Sequence, residues 1–175
     1  MDQNMDLIVF AETGHVLAGA TRSQTAGPAP DIGNYVGDGL LLRDPQSGTQ
    51  LMTIETSLLA IETLSRRDDV LMTARYFQVI DGLPEAQAEL GVGVAVALDG
   101  TDITLTLPNN ATALQPVDCV VVVQGSVGGD PIVQRLRVEQ GDDTSTESMP
   151  LPSDDYAWLL LVPGYRQQVD LVSVP

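Results

Sequence analysis

The sequence contains no lysine, a single histidine, a single cysteine, and so few aromatic residues that they make up 4% of its 175 positions. Without lysine there is no Walker A phosphate cradle, no Schiff base, no pyridoxal-phosphate anchor and no Ser-Lys dyad, so those enzyme classes are removed at the outset. One cysteine, Cys119, excludes an intramolecular disulfide framework and fits a reducing compartment or a chain that needs no covalent staples. His15 and Cys119 are too few soft ligands for a zinc site. No Gly-x-Ser-x-Gly elbow is present to present a serine nucleophile. Charged residues reach only 18% against 43% apolar, which is too apolar and too sparsely charged for disorder. The apolar runs are too short to span a bilayer, and the first six residues are acidic where a secretory signal carries positive charge. Synthesis and folding in the cytoplasm, with no membrane insertion, is therefore expected.

What charge there is has one sign. Asp and Glu number 24 against 8 Arg, for a formal net charge of −16. A polyanion repels phosphate, so nucleic acid and anionic membranes are poor partners. The one adjacent basic pair, Arg66-Arg67, is followed at once by Asp68-Asp69 and is neutralised where it stands.

Turn chemistry and alternation dominate, while 3.6-residue periodicity is nearly absent. Residues 7–11 and 15–21 read as a hairpin around Gly14, and 40–42 with 51–56 as a second around 44–48. Residues 23–34 read as a Pro- and Gly-containing loop. The stretch 57–64 fits a short helix or an extended segment, and its β-branched residues favour the latter. Short strands follow at 70–72 and 76–80, then a boundary at Asp81-Gly82-Leu83-Pro84 and one or two helical turns at 85–90. Strands at 92–98, 103–107, 117–123, 132–138, 156–162 and 169–174, with a further one at 148–151, have the number and spacing of a β-sandwich. The expected fold is all-β: a smaller hairpin-rich unit over 1–82 and an Ig-like or prealbumin-like sandwich over 83–175.

Within the last unit, the run from Leu151-Pro152-Ser153-Asp154-Asp155-Tyr156 through Trp158 to Pro163-Gly164-Tyr165-Arg166 resembles the closing hairpin of prealbumin-like and carboxypeptidase-regulatory-like sandwich modules. Those modules pair a Pro-containing turn and an aromatic-led strand with a Pro-Gly-Tyr corner. The likeness spans about twenty-five residues and departs where Asp154 or Asp155 stands in the place of the modules' usual Gly. It implies a structural or binding module without an active site.

Residue by residue, the chemistry-bearing groups read as structural. His15 flanks a turn, and Cys119 sits in a valine-rich strand as a small buried hydrophobe. Gly91-Val92-Gly93 runs into a strand where a dinucleotide loop would open a helix, and Gly125-Ser126-Val127-Gly128-Gly129 ends on Asp130, where phosphate would sit. The carboxylates Asp142, Asp143, Glu147, Asp154 and Asp155 invite calcium but lack the spacing of an EF-hand loop. Asn110-Ala111-Thr112 is a glycosylation sequon that has meaning only in a secreted eukaryotic protein. No catalytic residue, metal ligand or cofactor is assigned.

Three strands depart from the one-wet-face rule of an isolated sandwich. In 117–123 one face carries Val117, Cys119, Val121 and Val123, and the other Val120 and Val122. In 156–162, Tyr156, Trp158, Leu160 and Val162 back onto Ala157, Leu159 and Leu161. In 7–11, Leu7, Val9 and Ala11 back onto Ile8 and Phe10. Either another layer of the chain or another subunit must cover the second faces. The expectation is a non-catalytic structural or protein-interaction subunit of a larger assembly, for example a phage-tail-like particle, with Leu7, Val9, Val120, Val122, Leu159 and Leu161 at the interface and protein subunits of the same or a neighbouring type as partners. The alternatives are a sandwich module binding carbohydrate or calcium, and a hydrolase.

Overall fold

The computed structural model describes residues 4–22, 30–44, 47–91, 94–107, 113–126 and 129–175. The fold is all-β, with antiparallel sheets and two short helices. The chain divides into two compact units, residues 1–41 with 54–88 and residues 42–53 with 89–175.

In the first unit, β1 (Asn4–Phe10) is the centre of a three-stranded sheet between β2 (Val16–Thr21) and β5 (Leu59–Ser65). Gly14 closes the β1–β2 hairpin at φ +73, and a Cβ there would stand 2.4 Å from the Val79 carbonyl oxygen, so only glycine fits. That close approach lets the Gly14 carbonyl accept the Val79 N–H at 2.8 Å, which docks β6 (Phe77–Ile80) against the hairpin tip. One face of the sheet packs Met5, Leu7, Val9 and Val16 against Val70 and Phe77. Each fully buried side chain of this size contributes about 1.5–3 kcal/mol.

Two expected elements differ here. Residues 70–72 are not a strand but the end of helix α2 (Asp68–Met72), with Asp68 and Asp69 in the first turn, where negative charge favours a helix N-terminus. Residues 85–90 are not helical either. Asp81 and Gly82 both have positive φ, 50 and 75, the geometry of a two-residue hairpin turn that returns β7 (Leu83–Ala86) along β6. The expected boundary at 81–84 is therefore a hairpin tip, and the division falls after Ala88. Helix α1 (Gly33–Val36) occupies the end of the expected loop; positions 23–29 lie outside the described residues.

In the second unit, a four-stranded sheet of order β11-β10-β13-β14 is formed by β10 (Val117–Gly125), β11 (Ile132–Val138), β13 (Asp154–Leu161) and β14 (Gln168–Val174). A smaller sheet of order β12-β9-β8 is formed by β8 (Ala95–Leu98), β9 (Asp102–Thr106) and β12 (Thr144–Ser148). The two sheets share one core, in which Cys119, Val121, Val123, Trp158 and Leu160 meet Val96, Leu98, Ile103 and Leu105. The expected strand at 148–151 is displaced to β12, a polar strand held to β9 by register and by the Thr104 and Thr146 hydroxyls at 3.0 Å.

The other face of the large sheet carries Val120, Val122 and Gln124 on β10, paired with Leu161, Leu159 and Ala157 on β13. Residues 42–53 belong to this unit and join β3 (Gly39–Arg43) to β4 (Gln50–Glu55). The Thr53 N–H donates to Gln124 Oε1 at 2.7 Å, which ties β4 to β10 on this face, and Leu42 and Met52 are buried.

Leu159 and Leu160 point to opposite faces and neither retains exposure. Leu159→Asp and Leu160→Asp are each expected to destabilise the chain by several kcal/mol, because each strands a carboxylate in an apolar layer. Urea unfolding followed by circular dichroism measures this. A variant of either kind that unfolds at the parent midpoint contradicts it.

Candidate functional site

The sandwich ends in a pocket of about 520 Å³ whose walls come from four chain segments of the second unit. Ala113 is fixed from both sides: its N–H donates to the Asp142 carbonyl at 2.8 Å and its carbonyl accepts the Gly141 N–H at 2.9 Å. Leu114 follows immediately and stands 90% exposed at the pocket, while Pro116 and Val117 lead the chain into β10. After β13, Val162 and Pro163 enter a turn closed by the Tyr165 N–H on the Val162 carbonyl at 3.0 Å, with Gly164 at φ +85. That turn sets the Tyr165 ring, 41% exposed, on another wall. Leu90 and Leu107 complete the apolar lining, and the Leu107 N–H is held by the Asp143 carbonyl at 2.8 Å.

Charges flank this pocket in pairs. Arg166 Nη1 lies 2.6 Å from Glu89 Oε1, and Arg137 bridges Asp118 at 3.2 Å and Glu139 at 3.0 Å. All of these groups are substantially solvent-exposed, so each pair adds at most about 1 kcal/mol. Their effect is to offset carboxylate charge at a place where the chain presents apolar side chains to water.

The six residues expected at an interface are all in the interior of the single chain, none more than 4% exposed. Leu7 and Val9 come together in the first unit, under Val70 and Phe77. Val120, Val122, Leu159 and Leu161 come together on the second face of the large sheet. None of the six is on the surface of this chain, and the exposed large apolar side chains lie elsewhere.

His15 is also interior. Its Nδ1 lies 2.8 Å from Thr13 Oγ1, and it bridges to Gln78, whose side-chain amide donates to the Thr13 carbonyl at 2.6 Å. The acidic residues separate into two groups. Asp142 and Asp143 lie at the pocket end, whereas Asp154 accepts from Ser126 Oγ at 2.8 Å and Asp155 from Ser173 Oγ at 2.5 Å at the other end. Glu147 is exposed on β12, opposite Ile103. Among the described residues no group of three or more His, Cys, Asp or Glu is set to hold a metal. Positions 92–93, 108–112 and 127–128, which contain parts of both glycine segments and the sequon, lie outside the described residues.

One polar cluster went unread in the sequence. Asp6, fully buried in β1, accepts from Tyr35 Oη at 2.5 Å and from Thr63 Oγ1 at 2.6 Å, with Arg22 Nε at 3.9 Å. The hydrogen bond to Asp6 raises the Tyr35 pKa above its usual value, with burial adding to the rise. The signal available was a carboxylate inside an otherwise apolar strand, a residue that must find donors if the strand is central.

No protein-family model and no curated protein sequence matches this chain.

Cys119 faces the sandwich core, and burial, with Asp118 alongside, pushes its thiol up to about 12. A raised pKa stabilises the fold fully below the unfolded value of about 9, and that stability is lost as pH rises toward 12. The native protein is expected to resist a thiol reagent at pH 8 until denaturant is added. Its stability should fall between about pH 9 and 12, less steeply in Cys119→Ala, as thermal melts across that range would record. Rapid labelling of the folded chain, or identical pH profiles for the two proteins, contradicts this assignment.

Proposed function

We propose that the chain is a non-catalytic structural or protein-interaction subunit of a larger assembly, made in the cytoplasm, and that a protein partner docks on the sandwich-end pocket. The observation that carries this reading is Leu114, an apolar side chain left 90% exposed beside an apolar pocket that Tyr165 borders. Burying a leucine in a partner is worth about 1.5–3 kcal/mol, the size of an interface hot spot. Its backbone is pinned through Ala113, so little ordering entropy opposes docking. The prealbumin-like likeness of the closing hairpin belongs to the same reading, since such modules serve as structural or binding elements.

The pocket volume also falls within the range of small-ligand sites, which favours a ligand-binding module as the second reading. Tyr165 is the one aromatic residue among the described residues of its lining, so a sugar would stack on that ring.

Leu114→Asp separates the two. An exposed substitution is expected to change stability by no more than about 0.5 kcal/mol. Isolated from its own cells, the parent chain should migrate in a complex larger than a dimer, and Leu114→Asp should migrate free of it with an unchanged melting temperature. A parent chain that migrates alone, or a complex indifferent to the substitution, overturns the proposal.

A further inference from the structure

We infer that the outer edge of β5 is a docking edge for a second copy of this chain, joined antiparallel through a two-fold axis centred on Thr63. This goes beyond the sandwich-end proposal, because it uses a different surface in the other unit and stands or falls separately.

The hydrogen-bond phase of β5 follows from its neighbours. The Ala11 N–H donates to the Leu58 carbonyl at 2.9 Å, so the pairs that exchange bonds with β1 are Val9 with Ala60, Leu7 with Glu62, and Met5 with Leu64. The β1–β2 side agrees, since Phe10 and Asn4 direct their bonds to His15 and Arg22 on the opposite edge. Ile61, Thr63 and Ser65 therefore direct both N–H and C=O away from β1, and among the described residues none of these groups has a partner. Leu59 differs, because its N–H returns to the Thr56 carbonyl.

Proteins usually blunt such an edge. Here β14 is blunted at Leu171, whose N–H is taken by the Asp170 carboxylate at 2.8 Å, and β7 carries Pro84. The edge of β2 is packed by α2 and by the 3-10 turn Ala74–Tyr76. β5 has none of these devices: it runs seven residues in unbroken register with β1, with no proline, glycine or basic residue.

The choice of a second copy rests on self-complementarity. With Thr63 opposite its own image, Ile61 faces the second copy's Ser65. Three residue pairs then exchange two bonds each, six in all, and Thr63 meets Thr63 in a favourable cross-strand pair. Glu62 faces the second copy's Leu64, which avoids a like-charge contact. Arg66, just beyond the strand, already holds Asp68 of its own chain at 2.7 Å, and it stands opposite the second copy's Ala60 and diagonal to its Glu62, so the same guanidinium can take a second carboxylate on that face. The two-fold axis makes that opposite-charge contact twice. In an acidic chain, β5 is a segment whose one carboxylate finds a basic residue in its own image.

The test is amide hydrogen exchange on the full chain at low and high concentration, in enough salt to screen the net charge. The amides of Ile61, Thr63 and Ser65 should become protected as concentration rises, while those of Ala60 and Glu62, bonded to β1, stay protected throughout. By sedimentation, Glu62→Arg and Arg66→Glu should each weaken the dimer about tenfold, and the double variant should recover it. A chain that remains monomeric at every concentration overturns the inference. So does self-association that leaves the three amides unprotected, or a double variant no stronger than the singles. A dimer that forms in this way while Leu114→Asp has no effect on larger complexes would retain this inference and reject the sandwich-end proposal.

Discussion

An apolar strand face has to be kept dry, and β10 and β13 are apolar on both of theirs. One face is satisfied by the small sheet of the sandwich, through Val96, Leu98, Ile103 and Leu105. The other holds Val120, Val122, Leu159 and Leu161, all buried, and the Thr53 to Gln124 hydrogen bond ties β4 to β10 on that face. Residues 42–53 leave the first unit and join the second, a feature that chain order alone would not suggest. Leu7, Val9, Val120, Val122, Leu159 and Leu161 are likewise all buried within the chain. What remains for a partner is the periphery, at a pocket rim and at a strand edge.

The first unit meets the same constraint with different means. Val70 and Phe77 roof Leu7 and Val9, so α2 and β6 serve as cover where the second unit uses a sheet. Its buried carboxylate, Asp6, is tolerated because Tyr35 and Thr63 donate to it and Arg22 stands near. Satisfying Asp6 also draws Tyr35 of α1 onto the sheet, so a polar residue in the central strand contributes tertiary specificity that apolar contacts alone would leave loose.

Strands whose pattern is set by burial were readable from residue order. Ile132–Val138 occurs where alternation placed it, and 117–123, 156–162 and 169–174 each sit inside or within a residue of an observed strand. Elements set by local chemistry were not. At 70–72 three apolar residues carry no period, and the preceding aspartates decided for helix. At 83–86 the positive φ of Asp81 created a hairpin that a Pro-containing segment does not advertise. β12 has no buried face, so only its pairing with β9 identifies it. The candidate sites were less legible still. Tyr165 stood out in the Pro-Gly-Tyr corner, but the exposure of Leu114 depends on hydrogen bonds to residues 141–142, distant in sequence. The open edge of β5 depends on a hydrogen-bond phase that only the register with β1 reveals.

The central claim is that both faces of the apolar strands are covered from within one chain, and the dependence of folding on protein concentration tests it most directly. In the dilute range where the chain sediments as a monomer, its β circular dichroism and urea midpoint should remain constant on further dilution. A midpoint that keeps falling, or β signal that is lost as the protein is diluted, would show that another chain supplies the missing cover.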